Sequence, residues 1–262
     1  MRLAGILSTE FHQAHEGHEA QASMKKTRII VTANQKGGAG KTTVAMCLAD
    51  ALSRKGLYVV TVDADPQATA FKWESRPSSS FPRFPVRVEK RSGFSPLEFL
   101  QALNQLNEEQ KRATGEDFDF IVIDTPPNLA SSDLEAALFV ADQVVVPAKP
   151  NGMFVDALEE LFPLFAEINE LRATHGRPRL DVRLLVNFMQ AHRRTNVSLV
   201  TVLRESVAKW SKLRQVRAKV LATQLKQLSA FENAPNYRTS LYRIPGSRAA
   251  REEVDQLLEE LL

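Results

Sequence analysis

A strand, a glycine-rich loop carrying a lysine, and a helix follow one another without interruption near the start of this chain. RIIVTAN (Arg28 to Asn34) is a β-branched run that reads as a buried strand. NQKGGAGKTT (Asn34 to Thr43) follows it, and Thr42 to Lys55 has the apolar spacing of a helix stopped by Gly56. Such an order builds a phosphate cradle. Gly37, Gly38 and Gly40 let the backbone curl so that successive N–H groups face inward, with Ala39 between them and a helix N-terminus adding its dipole. Lys41 supplies a point charge for the β- and γ-phosphates, the Thr42 hydroxyl suits Mg²⁺, and Thr43 continues the loop into the helix. A merely structural Gly-rich turn would explain neither Lys41 nor Thr42.

The rest of the chain repeats the same alternation. Leu57 to Asp63, Phe118 to Asp124, Gln143 to Ala148 and Asp181 to Asn187 read as further strands, and helical patterns, such as Val155 to Ala173 and Asn196 to Lys209, fill most gaps. Strands apolar on both faces and joined by helices predict an α/β fold with a mostly parallel sheet and helices on both faces. RPSSSFPRFP (Arg76 to Pro85) interrupts the alternation as a surface loop. Residues 26–262 are expected to form a single domain. Residues 1–25 are polar and lack sustained periodicity, which suggests a flexible extension in which His12, His15 and His18 belong to a solvated tail.

Bulk composition narrows the class. Hydrophobic residues at 44% and charged residues at 25% are ordinary globular values. The single cysteine, Cys47, excludes a disulfide framework and an intrachain cysteine-ligated cluster, and fits a reducing compartment. No apolar run approaches the roughly 18 residues that span a bilayer, and the N-terminus shows no signal peptide. A cytoplasmic location is expected.

The general phosphate-loop pattern would place glycine six residues before Lys41, where this chain has Gln35. That departure, with Lys36 added, resembles the deviant Walker A box of the ParA/MinD family of P-loop ATPases, in the form found in ParA-type partition proteins. The resemblance implies ATP and Mg²⁺ as ligands and a homodimer in the ATP-bound state, with Lys36 reaching across to the partner's nucleotide. A cation delivered in trans acts as an arginine finger does, an effect that reaches roughly 10³ to 10⁵ in rate.

VDADPQAT (Val62 to Thr69) ends a strand with Asp63 and Asp65, at the edge where open α/β sheets bind ligands. It is similar to the family's DxDPQ segment, which implies that Asp65 orients or activates the attacking water and Asp63 supports Mg²⁺ hydration; acids at strand ends also serve as helix caps. FDFIVIDTPP (Phe118 to Pro127) is a Walker B-like strand whose Asp124 is expected to hold Mg²⁺ through a water. Thr125, Pro126 and Pro127 resemble the second switch segment. Asn187 falls where relatives set an asparagine against adenine, and a turn asparagine is equally natural there. Lys149 has no assigned role.

Between Ser206 and Ala230 the chain has no acid but contains Lys209, Lys212, Arg214, Arg217, Lys219 and Lys226. Such a cluster reads as a nonspecific DNA surface, as in ParA-type relatives that bind nucleoid DNA, or as a solvated helix face. Nothing resembles a helix-turn-helix module before the phosphate loop. The last helix, REEVDQLLEELL (Arg251 to Leu262), is acidic on its polar side, unlike the basic membrane helix of MinD-like relatives. The resemblance therefore implies ATP hydrolysis stimulated by a ParB-like centromere-binding activator, nucleoid association without a membrane, and partitioning of plasmids or chromosomes. The same cycle carrying a protein cargo, such as a carboxysome or chemoreceptor cluster, is the alternative.

Overall fold

The computed structural model describes residues 27–150, 152–190 and 194–262 of the chain. The extension expected for residues 1–25 and its three histidines lie outside the described residues. Among the described residues seven strands form one sheet in the order β3-β2-β4-β1-β5-β6-β7. They are β1 (Arg28–Thr32), β2 (Val59–Asp63), β3 (Arg87–Lys90), β4 (Phe120–Asp124), β5 (Gln143–Ala148), β6 (Asp181–Met189) and β7 (Arg217–Lys226). Every adjacent pair is parallel, so all carboxyl ends emerge on one edge of the sheet.

Alternation along the strands explains the layering. Val31, Ile121, Ile123, Val144 and Val146 face one helical layer: α3 (Pro96–Thr114), α4 (Ser132–Val140), α5 (Gly152–Thr174) and α6 (Arg194–Arg214). Ile30, Phe120, Val122 and Val145 face the other layer. That second layer comprises α1 (Lys41–Arg54), α2 (Thr69–Ser75), α7 (Ser229–Asn236) and α8 (Arg248–Leu261). The central strands β1, β2, β4 and β5 are buried along almost their whole length, which is why they read as continuous apolar runs. No helix among the described residues is long and apolar enough to cross a membrane.

Both edge strands were hidden in the sequence. β3 is four residues long with one buried side chain. β7 lies inside the basic stretch expected to be one surface. Arg217 and Lys219 share a face with Leu221, which packs in the α8 layer, whereas α6 buries Leu203 and Val207 in the opposite layer. The six basic residues are therefore divided around a sheet edge and are not one helix face.

The last helix also settles differently from a membrane anchor. Val254, Leu257, Leu258 and Leu261 are buried against the sheet, so the apolar face a lipid surface would need is already occupied.

Candidate phosphate-binding site

The loop from Asn34 to Gly40 leaves β1 at the carboxyl edge of the sheet and enters α1 at Lys41. Asn34 braces it from beneath. Its Nδ2 donates to the Pro147 carbonyl (2.5 Å), and its Oδ1 accepts the Lys36 N–H (2.9 Å). Gly40 is the tightest point, at φ 92°, and a Cβ there would lie 2.3 Å from Asn187 Nδ2. Only glycine fits both the dihedral and the space. Helix α1 starts with no side-chain cap and no acid in its first turn, leaving its first N–H groups and positive dipole end for an anion.

Lys41 is 8% exposed. Burial lowers its pKa, and the carboxylates of Asp124 and Asp65 oppose that shift. Across the loop, Asp124 ends β4 with no exposure. It accepts the Thr42 hydroxyl at 2.6 Å and, at longer range, that of Thr32. Burial pushes its carboxyl up to about 7 against the Thr42 hydrogen bond, and neighbouring Asp63 pushes the same way. An oxygen pair of this kind, with a buried carboxylate and too little positive charge around it, suits a hard divalent cation.

Asp63 lies beside Asp124 in register but is engaged otherwise. Its Oδ1 accepts the Asp65 N–H (3.1 Å) and its Oδ2 accepts the Phe71 N–H in the first turn of α2 (2.8 Å). Asp63 thus caps the turn and the start of α2, where the chain turns at Ala68 (φ 53°) and brings the Phe71 amide onto the carboxylate. Asp65 is half-buried and, with Gly37, Gly38, Gly40, Lys41, Thr42, Thr43 and Pro127, lines a cleft of about 240 Å³. Lys36 is exposed beside it. Thr125 turns inward and donates to the Thr32 carbonyl (2.7 Å), and of the TPP segment Pro127 lines the cleft.

Asn187 locks the loop from the β6 side. Its Nδ2 donates to the Ala39 carbonyl (2.9 Å) and its Oδ1 accepts the Phe188 N–H (2.9 Å), so one amide proton and one lone pair remain for a base. Phe188 is the residue that sequence reasoning missed. It holds φ 56° at a register irregularity of β6, its ring lies 3.2 Å from where a Gly40 Cβ would sit, and the Lys149 ammonium stands 4.3 Å from the ring centroid. Its place at a strand's carboxyl end, next to Asn187, was the available signal.

Residues 28–230 match the family model for ATPase MipZ. The chain belongs to the ParA/MinD-type ATPases. It is similar to the maintenance of carboxysome distribution protein A of Gloeobacter kilaueensis, 38% identical over 51% of this chain and 54% of the relative, so the chain spans about half that protein's length. A probable plasmid-partitioning protein ParA from Thermus thermophilus is 30% identical over 90% of this chain and 78% of its own. Among solved structures, a plasmid partition protein from Borrelia burgdorferi bound to AMPPNP superposes with a TM-score of 0.62 at 19% identity, covering 90% of this chain and 98% of that one. Cobyrinic acid a,c-diamide synthase from Mycobacterium smegmatis, with an ATP analogue and magnesium, gives 0.63 at 21%, covering 90% and 96%. At those identities the structures speak for the fold.

Proposed function

We propose that this ParA-like ATPase is a nucleotide-driven switch that distributes a cargo over DNA. ATP bound at the loop joins two copies, the dimer holds DNA without sequence preference, and a ParB-like activator triggers hydrolysis and release. Lys41 and the free N–H groups of α1 hold the phosphates, Asp65 orients the attacking water, and Thr42 with Asp124 would hold Mg²⁺. That ion supplies charge neutralisation on the β- and γ-phosphates when bound.

The observation that carries the reading is Lys36. It is exposed on the loop, next to Gly37 of the cleft lining, and its ammonium makes no hydrogen bond or ion pair with any described residue, while Lys41 on the same loop is buried near two carboxylates. One lysine serves its own copy, and the other is left for a neighbour. The test is gel filtration and phosphate release for the intact chain and for Lys36→Ala, each with and without Mg²⁺·ATP. The variant should keep nucleotide binding and lose turnover. Undiminished turnover would sink the trans-lysine role, and a monomer in ATP would sink the switch.

Plasmid or chromosome partitioning is the cargo role in keeping with the Thermus relative. The carboxysome-distribution relatives, among them one from Halothiobacillus neapolitanus that is 25% identical over 97% of its own length, favour a second reading in which the cargo is a protein assembly. Imaging a tagged chain beside a labelled plasmid separates the two: loss of the gene scatters either the plasmid or the assembly. DNA binding places the chain on the nucleoid in both.

A further inference from the structure

A second cavity, about 350 Å³ and larger than the phosphate cleft, lies at the opposite end of the sheet. It is bounded by the last turns of α5 and α6 and by the segments that lead into β6 and β7, whose first residues, Asp181 and Arg217, are register partners. The phosphate loop is at the carboxyl ends of these parallel strands, so a ligand here would not touch the nucleotide.

Its wall contains an unsatisfied donor. Asn169 is 8% exposed; its Oδ1 accepts the Leu180 N–H (2.8 Å), which fixes the amide, and its Nδ2 is buried with no partner among the described residues. A buried donor left unpaired is uncommon and points to an absent acceptor. Two guanidinium groups stand at the same cavity. Arg179 is steadied by donating to the Gln215 carbonyl (2.9 Å), and Arg214 lies 5.9 Å from the Trp210 ring centroid. Among the described residues neither is paired with a carboxylate, nor is Glu170 on the rim paired with any cation. Leu213, 60% exposed, adds an apolar shelf.

We propose that this cavity takes a glutamate or aspartate side chain presented by a peptide segment of a partner protein. The carboxylate receives Arg179, Arg214 and the Asn169 amide, a peptide N–H meets Glu170, and a neighbouring aliphatic residue covers Leu213. A duplex suits the site less: the Asn169 donor is recessed in the wall where a phosphodiester on a helix cannot follow, and Glu170 repels a polyanion. Arg214 is also in the basic set considered for DNA, whereas Arg179 is not, and this separates the two.

The experiment follows the Asn169 side-chain NH₂ correlation in the ¹⁵N-labelled full chain during titration with acetyl-Leu-Glu-Leu-amide. Controls are acetyl-Leu-Gln-Leu-amide and a random-sequence DNA duplex. Saturable movement with the glutamate peptide alone is expected. Arg179→Gln should weaken it by roughly tenfold or more, as should Asn169→Asp, which keeps the acceptor for Leu180 while replacing the free donor with a charge. That variant has no side-chain NH₂, so its titration is followed on the Leu180 backbone N–H that donates to residue 169. ATP turnover should be unchanged in both, and thermal melting identifies a variant that has simply lost its fold. No saturable movement up to about 10 mM, equal movement with the glutamine peptide, or movement with duplex DNA alone would overturn the proposal.

Discussion

The Thr42 hydroxyl donates to the Asp124 carboxylate across 2.6 Å, so the two groups suited to share a cation hold each other. The arrangement keeps a buried carboxyl oriented, at a cost that depends on pH. Asp124 is pushed up to about 7 by burial, against an ordinary 3.8. An unfolded chain releases this proton near pH 4 while the folded chain retains it to about 7. The unfolded state therefore binds fewer protons across that window, and the site loses stability as pH rises through it, levelling off above. Asp124→Asn should flatten that part of the profile. Its nucleotide-free melting temperature should exceed that of the unmodified chain at pH 8 and approach it near pH 4.5, while Mg²⁺ no longer strengthens nucleotide binding. Thermal melts across that range, and calorimetry with and without Mg²⁺, decide it; an unchanged slope rejects the assignment.

Gly40 and Asn187 make a second prediction from sterics. A Cβ at Gly40 would fall 2.3 Å from the Asn187 amide, at φ 92°. Both the dihedral and the overlap oppose any side chain, and the combined destabilisation should be about 1–3 kcal/mol. Gly40→Ala should melt several degrees lower and lose most of its ATP affinity, because relief of the overlap requires moving the loop or Asn187. Gly37→Ala, where no atom lies within 4 Å of the added Cβ, should cost much less. Equal effects in a melting assay would show that the close approach does not matter.

How much of this was legible in the sequence depends on which forces fixed each part. The phosphate loop, Asp124 and the apolar strands β1, β2, β4, β5 and β6 are local patterns, and the glycine spacing and hydrophobic runs mark them. β7 is different. Arg217 and Lys219 are exposed on the face they share with Leu221, so their charges masked the apolar positions, Ala218 and Val220 toward one layer and Leu221 and Leu225 toward the other. The capping contact of Asp63 is not local either: only the path of the chain after Ala68 brings the Phe71 N–H onto it. The contact between Asn187 and Ala39 joins β6 to the loop after β1, and no local signal announces such a meeting.

Pairing also grades the basic residues. Lys226 contacts Glu253 at 3.0 Å, and Arg217 lies 3.7 Å from Asp181, which also binds Arg183. Lys212 on α6 is exposed and has no ion pair among the described residues. If the dimer holds DNA through this region, Lys212→Ala should weaken binding and reduce the salt slope by about 0.9, the value of one phosphate contact. Lys226→Ala should change it far less, since a carboxylate already neutralises that ammonium. Fluorescence anisotropy on a random duplex between low and moderate salt measures both slopes, and identical losses would put Lys226 on the DNA after all.

The exposed edge of the sheet supplies the last prediction. β7 has a neighbour on one side only, and an open strand edge offers unpaired N–H groups to other chains. Here the final helix closes it with carboxylates. Glu260 accepts the N–H groups of Ala222 and Thr223, each at 2.9 Å, and Glu253 accepts that of Lys226 at 2.9 Å. The Ala222 and Thr223 donors sit at a register irregularity, where two successive amides turn outward instead of alternating, and a single bidentate acceptor suits that geometry. Desolvation would raise the Glu260 pKa, but the two backbone hydrogen bonds, together with the Thr223 side chain and the Arg183 charge, outweigh it and the net shift is downward. Because the folded value is depressed, this stabilisation is present above the unfolded value and disappears as pH falls below it. Glu260→Ala should therefore destabilise the chain at neutral pH by about 1 kcal/mol, with the difference from the unmodified chain shrinking toward pH 3.5. It should also aggregate faster through β7 on mild heating, as read by light scattering. Glu259→Ala, one residue away on the exposed face of the same helix, is the control; matching behaviour in the two variants would mean that helix charge, not the edge contact, is responsible.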